Sequence, residues 1–326
     1  MKVSIIGAGM VGSSIAYATM IKGVAREISI VDINGDLAEG QALDLSHGAP
    51  YVHPVRIKGG NDYSLTKNSD VVVITAGRAQ KPGETRLQLL KSNAKIISSI
   101  VESCLKYSEN PIILMVSNPV DVLTWVAWKK SGLPRERIIG SGTTLDTARL
   151  RQNIADHCKL DPRSVHAYII GEHGDSEIAS WSTANVGGVP IKEFCNGCLA
   201  KGCERDKVFE RIFENTRDAA YKIIEKKGAT YYGIGLAVAR ILETIAGDHH
   251  SVLTVSSVHE EFRGMRDVPF SVPSVLGKKG IERILPLKLS DDELKGLENS
   301  AKVIKAAIES ILENREPRAE SPRDGK

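Results

Sequence analysis

The chain has 326 residues, enough for two domains or one large one with an ample core. Its 42% hydrophobic and 25% charged residues are ordinary for a globular protein, and a net charge of +3 gives no electrostatic case for nucleic acid. Nothing approaches an apolar run of about 18 residues, so no membrane span is expected.

The opening MKVSIIGAGMVG enters a strand and a turn at once, which leaves no room for a signal peptide. Five scattered cysteines fit reduced thiols better than a disulfide framework, and a cytoplasmic protein is expected. Short apolar runs then recur: KVSII (2–6), EISIV (27–31), DVVVITA (70–76), PIILMV (111–116) and RIIG (137–140). Between them lie helical patterns such as SNAKIISSIVESCLKY (92–107). Near-continuous valine and isoleucine suits strands buried on both faces, and alternation with helices suits a parallel sheet. Residues 1–142 are therefore expected to form a doubly wound α/β unit, with ligands at the carboxyl ends of its strands.

After about residue 142 the rhythm changes. VHAYIIG (165–171) predicts one strand, and a long helical region follows from Asp206 to Lys227. VLTVSSV, VPFSVPSVLG and IERILPLKLS predict an antiparallel set, so an α+β substrate domain is expected over 143–314. Ser290, Asp291, Asp292 and Glu293 form a capping-box pattern ahead of a closing helix. Leu294, Leu297, Ala301, Ile304 and Ile308 give that helix an apolar stripe. Polar, proline-bearing residues 315–326 are expected to be a flexible tail.

Gly7, Gly9 and Gly12, with Met10 and Val11 between them, match G-x-G-x-x-G. Alone that pattern is often only a glycine turn. Here it follows a strand and opens a helix, and a second strand ends at Asp32, 20 residues after Gly12. That is the context of the Rossmann dinucleotide fingerprint: Gly7 for a tight turn, Gly9 for approach of a pyrophosphate, Gly12 for helix–strand packing. The helix N-terminus would hold the pyrophosphate. Asp32 would accept hydrogen bonds from a ribose and repel a 2′-phosphate, which favours NAD over NADP.

With NADH as hydride donor, reduction of a 2-keto acid needs a proton donor, a cation for the carboxylate and a group that polarises the ketone. GEHGDSE (171–177) places His173 between glycines just past a buried strand. Asp146 and Arg149 in LDTAR lie three apart, on one face of a helix. A carboxylate beside His173 would favour the imidazolium that donates a proton, and the Arg149 fork suits a carboxylate. Each has a plainer alternative: a structural histidine, a surface ion pair.

Taken together, GAGMVG, Asp32, QKPGETR (80–86), SNPVD (117–121), GSGTTLDTAR (140–149), GEHGDSE and KGAT (227–230) resemble the lactate/malate dehydrogenase family, bacterial type. The resemblance runs in the same order from residue 1 to about 312. It implies an NAD-dependent L-lactate dehydrogenase acting on pyruvate, assembled as a homotetramer of dimers. His173 then corresponds to the general acid/base, Asp146 to its orienting partner, Arg149 to the carboxylate anchor and Arg86 to a loop arginine that polarises the ketone. Asn118 would touch nicotinamide and substrate, and Thr230 would line the pocket. Further cofactor positions fall on Tyr63, Gly77, Ser99, Val116, Ser117 and Ser141.

Gln80 falls where malate dehydrogenases of the family carry arginine. A second substrate carboxylate buried there without a cation would cost several kcal/mol, about 3–5. Pyruvate brings only a methyl, so Gln80 implies pyruvate and a closing loop, with Gly77 and Gly83 as flexible points. Arg78 departs from the small or polar residue expected there; turned inward it would bear on specificity, turned outward it is a surface arginine. Arg151 and His166 match positions at which relatives bind fructose 1,6-bisphosphate across a subunit interface, with a surface arginine and a strand histidine as the alternative. Cys195, Cys198 and Cys203 have a zinc-like spacing but no fourth ligand nearby, so no metal is expected. The competing functions are a malate or broad 2-hydroxyacid dehydrogenase and a catalytically silent NAD-binding protein. The silent reading gives no reason for His173, Asp146, Arg86 and Arg149 to occur together.

Overall fold

The computed structural model of the chain describes residues 1–78, 83–196 and 204–312. Six strands of the first half are parallel: β1 (Lys2–Ile6), β2 (Glu27–Val31), β3 (Arg56–Gly60), β4 (Val71–Ile74), β5 (Ile112–Met115) and β6 (Ile138–Gly140). They lie in the order β3-β2-β1-β4-β5-β6, flanked by α1 (Met10–Ile21), α2 (Gly35–His47), α3 (Arg86–Leu105) and α4 (Val120–Ser131). β4 shows why its sequence is unbroken valine and isoleucine. Val71 and Val73 enter the core under α1 and α2, while Val72 and Ile74 enter the core under α3 and α4. β3 (RIKGG) lacks that apolar run because it is an edge strand, with Arg56 and Lys58 exposed. Its Gly59 lets α2 come so close that a Cβ would sit 2.0 Å from the Ala38 carbonyl oxygen.

The second half begins with α5 (Thr144–Cys158) and the short strands β7 (Val165–His166), β8 (Ile169–Ile170), β9 (Ile178–Ala179), β10 (Asn185–Val186) and β11 (Val189–Pro190). Helices α6 (Ile191–Asn196), α7 (Arg205–Arg217), α8 (Ala219–Lys227) and α9 (Tyr232–Ala246) follow. Then come β12 (Ser251–His259), β13 (Val268–Gly277), β14 (Gly280–Ile284) and α10 (Asp291–Leu312). The antiparallel set is present, and it joins the parallel sheet: β12 pairs with β6 at Ser256 and Gly140, so one sheet of nine strands spans both halves.

Two expectations change. VHAYIIG is two strands, β7 pairing with β10 and β8 with β9, in separate small sheets. Side chains of α5 take up the backbone between them: Arg151 Nε donates to the Ala167 carbonyl at 3.0 Å, and Thr147 Oγ1 accepts the Ile169 N–H at 2.9 Å. The helical region 206–227 breaks at Asp218, which caps both α7 and α8. α7 buries Phe209 and Ile212, with Trp181 stacked on Phe209 at 4.4 Å, whereas α8 has no buried residue. The closing helix begins as its capping box requires, with Glu293 N–H donating to Ser290 Oγ and Ser290 N–H to Glu293 Oε2. Leu297, Ala301, Ile304 and Ile308 are buried, and Leu294 is half-buried. Among the described residues no helix is long and apolar enough to cross a membrane.

Candidate active site

The carboxyl ends of the parallel strands gather the cofactor candidates on one edge: Gly7 after β1, Asp32 after β2, Gly77 after β4, Val116, Ser117 and Asn118 after β5, and Ser141 after β6. Gly7 has φ +112, and a Cβ there would lie 2.5 Å from Thr75 Oγ1. A Cβ on Gly12 would lie 1.9 Å from the Gly7 carbonyl oxygen, so α1 can seat against β1 only with glycine at that position. At Gly9 a Cβ would meet nothing within 4 Å, and the helix it caps has no side-chain cap and no acid in its first turn. Open space before uncapped N–H groups suits a pyrophosphate. The Asp32 carboxylate accepts the N–H of Ala8 at 2.7 Å and of Asn34 at 2.9 Å, which ties the glycine turn to β2 and leaves lone pairs for ribose hydroxyls. These residues fit NAD. Tyr63 stands near Asp32, and burial, then the Cys104 and Asp32 charges, push its phenol up to about 12. Ser117 Oγ donates to the Ala76 carbonyl at 2.6 Å, and Ser141 N–H to Met115 at 2.8 Å. Ser99 is not brought to this edge: it is exposed on α3 and lines a cleft with Lys95, Trp125, Lys129 and Ile311.

The catalytic candidates converge from separate elements. Asp146, buried in the first turn of α5, meets His173 in the β8–β9 loop: Nδ1 and Oδ2 are 2.6 Å apart. Its other oxygen accepts Arg149 Nη1 at 2.7 Å. Burial disfavours both charges, yet the pair stabilises itself. The charge and hydrogen bond of Asp146 overcome the desolvation of His173 and push its pKa up to about 9, while Asp146 is held below the ordinary carboxylate range. His173 is thus an imidazolium at neutral pH, with Nε2 left to donate. Arg149 is only partly buried, with 15% of its side chain exposed.

Arg86 is the first residue of α3, exposed, beyond the Thr85 capping box. Its charge acts on Tyr221 of α8, whose hydroxyl donates to Asp175 of the His173 loop at 3.0 Å. Thr230 is half-buried in the connection between α8 and α9. Gln80 lies outside the described residues, as do Cys198 and Cys203. Arg78 is described, and it is half-buried, with 29% of its side chain exposed. Its guanidinium is ion-paired with Glu84 and donates to Ser92 Oγ at 2.7 Å, and its N–H donates to Asn93 Oδ1 at 3.1 Å. Arg151 is half-buried, 5.2 Å from the Tyr168 ring, and lines a cleft of about 570 Å³ with Arg163, Arg240 and Leu236. His166 is exposed on β7 and is not among the residues of that cleft.

Sequence reasoning passed over Asp121, although it ends the SNPVD segment. It is buried in α4, accepts the His173 N–H at 2.8 Å and takes a hydrogen bond from Ser256 Oγ at 2.5 Å. Burial pushes its carboxyl up to about 6 against those bonds. A carboxylate in the first turn of a helix that continues VLTWVAW was the available signal. Glu177 was also missed: it is buried, with a carboxylate oxygen within 4.8 Å of Asp146 and His173.

Residues 1–140 match the family model described as lactate/malate dehydrogenase, NAD binding domain, and residues 143–315 that of the alpha/beta C-terminal domain. An L-lactate dehydrogenase of Thermoanaerobacter sp. (strain X514) is 52% identical over 310 residues, 95% of this chain and 99% of that protein. L-lactate dehydrogenase 1 of Clostridium acetobutylicum is 51% identical over 311 residues, with 95% and 98% covered. A lactate dehydrogenase from a Medee basin deep-sea metagenome library superposes with a TM-score of 0.92 at 44% identity, over 95% of this chain and 98% of that one. The minor L-lactate dehydrogenase of Enterococcus mundtii does so at 0.89 and 41%, over 95% and 98%.

Proposed function

This chain belongs to the lactate/malate dehydrogenase family and catalyses the NAD-dependent L-lactate dehydrogenase reaction, and we propose that His173, Asp146, Arg149 and Arg86 carry out its chemistry on pyruvate. The observation that supports these roles is the row Arg149–Asp146–His173, held at 2.7 and 2.6 Å about a buried aspartate. Bound NADH supplies the hydride to the ketone carbon. Arg149 grips the substrate carboxylate, and His173, charged at neutral pH, passes its Nε2 proton to the ketone oxygen. Asp146 keeps the imidazolium charged and oriented, and Arg86 polarises the carbonyl once its loop closes. Asn118 and Thr230 line the substrate space. Gly7, Gly9, Met10, Val11, Gly12, Asp32, Tyr63, Gly77, Val116, Ser117, Asn118 and Ser141 hold NAD, and Ser99 is assigned there by resemblance alone. We divide the chain into a nucleotide-binding unit over 1–142 and a catalytic unit over 143–314.

Gln80 selects pyruvate by offering no cation for a second carboxylate. A homotetramer is supported by exposed apolar side chains that cluster on α1, α2 and α9: Met10, Tyr17, Leu43, Tyr232 and Leu236 are each more than half exposed. Arg151 and His166 would answer a bisphosphate across such an interface. One experiment tests the reading: NADH oxidation with pyruvate and with oxaloacetate, each with and without fructose 1,6-bisphosphate. A pyruvate preference that reverses in Gln80→Arg is expected, together with a lowered half-saturation when effector is present. A preference of the unaltered protein for oxaloacetate would overturn the specificity, and indifference to the bisphosphate would remove the effector role.

A further inference from the structure

Glu177 closes the GEHGDSE segment, and no step above uses it. It is 6% exposed, and its Oε1 is buried without a hydrogen-bond partner among the described residues. One of its oxygens lies within 4.8 Å of a His173 ring nitrogen and an Asp146 carboxylate oxygen. Two carboxylates so close in a buried place do not both keep a charge. The geometry decides between them. Asp146 is clamped by His173 at 2.6 Å and Arg149 at 2.7 Å, while Glu177 has no such bond. Asp146 therefore keeps the charge and Glu177 the proton.

The groups that face Glu177 are His173 on its own loop, Asp146 and Arg149 from α5, and Arg217 at the end of α7. With Glu177 neutral, two anions (Asp146 and Asp121) and three cations (His173, Arg149 and Arg217) give these groups a net charge of +1, the complement of one substrate carboxylate. With Glu177 ionised that net charge is zero. We propose that Glu177 acts as a neutral carboxylic acid beside the His173–Asp146 pair, a positioning residue whose ionisation cancels the charge match and releases pyruvate. Burial, then the Asp146 charge, push its pKa up to about 8, against the pull of His173, Arg149 and Arg217, so the change falls near pH 8.

The inference rests on the pyruvate-reducing reading, and the pH profile of kcat/KM separates the two. In the unaltered enzyme two protons, those of Glu177 and His173, are needed, so log kcat/KM for pyruvate should fall above about pH 8 with a slope approaching −2. In Glu177→Gln, which stays neutral, the slope should be −1, and the KM difference between the two proteins should grow about tenfold per pH unit. Superimposable profiles from two proteins that both reduce pyruvate would overturn the inference and leave the reading intact. No pyruvate turnover at neutral pH would overturn both. Should the variant fail to fold, proton uptake on oxamate binding to the NADH complex of the unaltered enzyme gives the answer at pH 9. More than one proton per site supports the inference, and one or fewer overturns it.

Discussion

Asp146 holds a row of charges together because each of its two oxygens has its own cation. Asparagine would keep its size and lose its charge, so Asp146→Asn isolates the electrostatic part. His173 would lose the partner that raises its pKa to about 9 and would move back toward 6.5. The alkaline limb of pyruvate reduction should shift to lower pH, with kcat at neutral pH lowered about 10²–10⁴-fold. An unmoved limb in a stopped-flow pH series would show that Asp146 does not set the His173 charge. Arg78 poses the opposite case, a half-exposed cation already paired. Glu84 and Ser92 occupy its guanidinium just ahead of and within α3. Glu84→Gln weakens that hold, and oxaloacetate turnover relative to pyruvate should rise severalfold. A ratio that does not change would mean Arg78 has no route to the substrate.

At the scale of elements, the decisive contact is the seat of α1 on β1. The Gly12 Cα lies where any Cβ would come within 1.9 Å of the Gly7 oxygen, so Gly12→Ala must lift the helix from the strand. Overpacking of that kind costs about 1–3 kcal/mol, and it also displaces the N–H groups meant for the pyrophosphate. NADH binding, followed by fluorescence, should weaken at least tenfold while pyruvate chemistry at saturating NADH is less affected. Full NADH affinity in the variant would remove Gly12 from the cofactor site. The other junction of note is β6 with β12, where Ser256 pairs with Gly140 and also donates to Asp121 beneath His173. The antiparallel set thus extends the sheet and braces the His173 loop at one residue.

Across the whole molecule, the perturbed site groups act on stability together. His173 has a folded pKa raised from 6.5 to about 9, so its contribution is complete below pH 6.5 and is lost as pH rises through 9. Glu177 is raised from 4.5 to about 8; the folded state holds a proton that the unfolded chain releases, so its stability too is lost as pH rises through 8. The signs agree. The urea midpoint should therefore fall between pH 6.5 and pH 9, and Glu177→Gln should flatten that decline. A midpoint that rises over the same interval would contradict both assignments. His259 acts at the other end: burial lowers it from 6.5 to about 4, against its bond to the Phe270 carbonyl, so its stability is lost as pH falls through that window.

Local pattern is what the sequence by itself determined. β1 and β2 have the limits their apolar runs predict, and the glycine spacing with Asp32 names the cofactor class, because a turn, a helix start and a strand end are all settled within a few neighbouring residues. The segments that carry Asp146, Arg149 and His173 stood out for the same reason. Tertiary structure alone decided what those residues face. His173 meets Asp146 across 27 positions and Asp121 across 52, and the strand between 165 and 171 is broken by side chains of a helix that precedes it. Periodicity reports which face of an element is apolar, not which distant group will lie against it. That is why Arg78 proved to be held by Glu84 and Ser92, and why the buried carboxyls of Asp121 and Glu177 came to light only once the chain path was known.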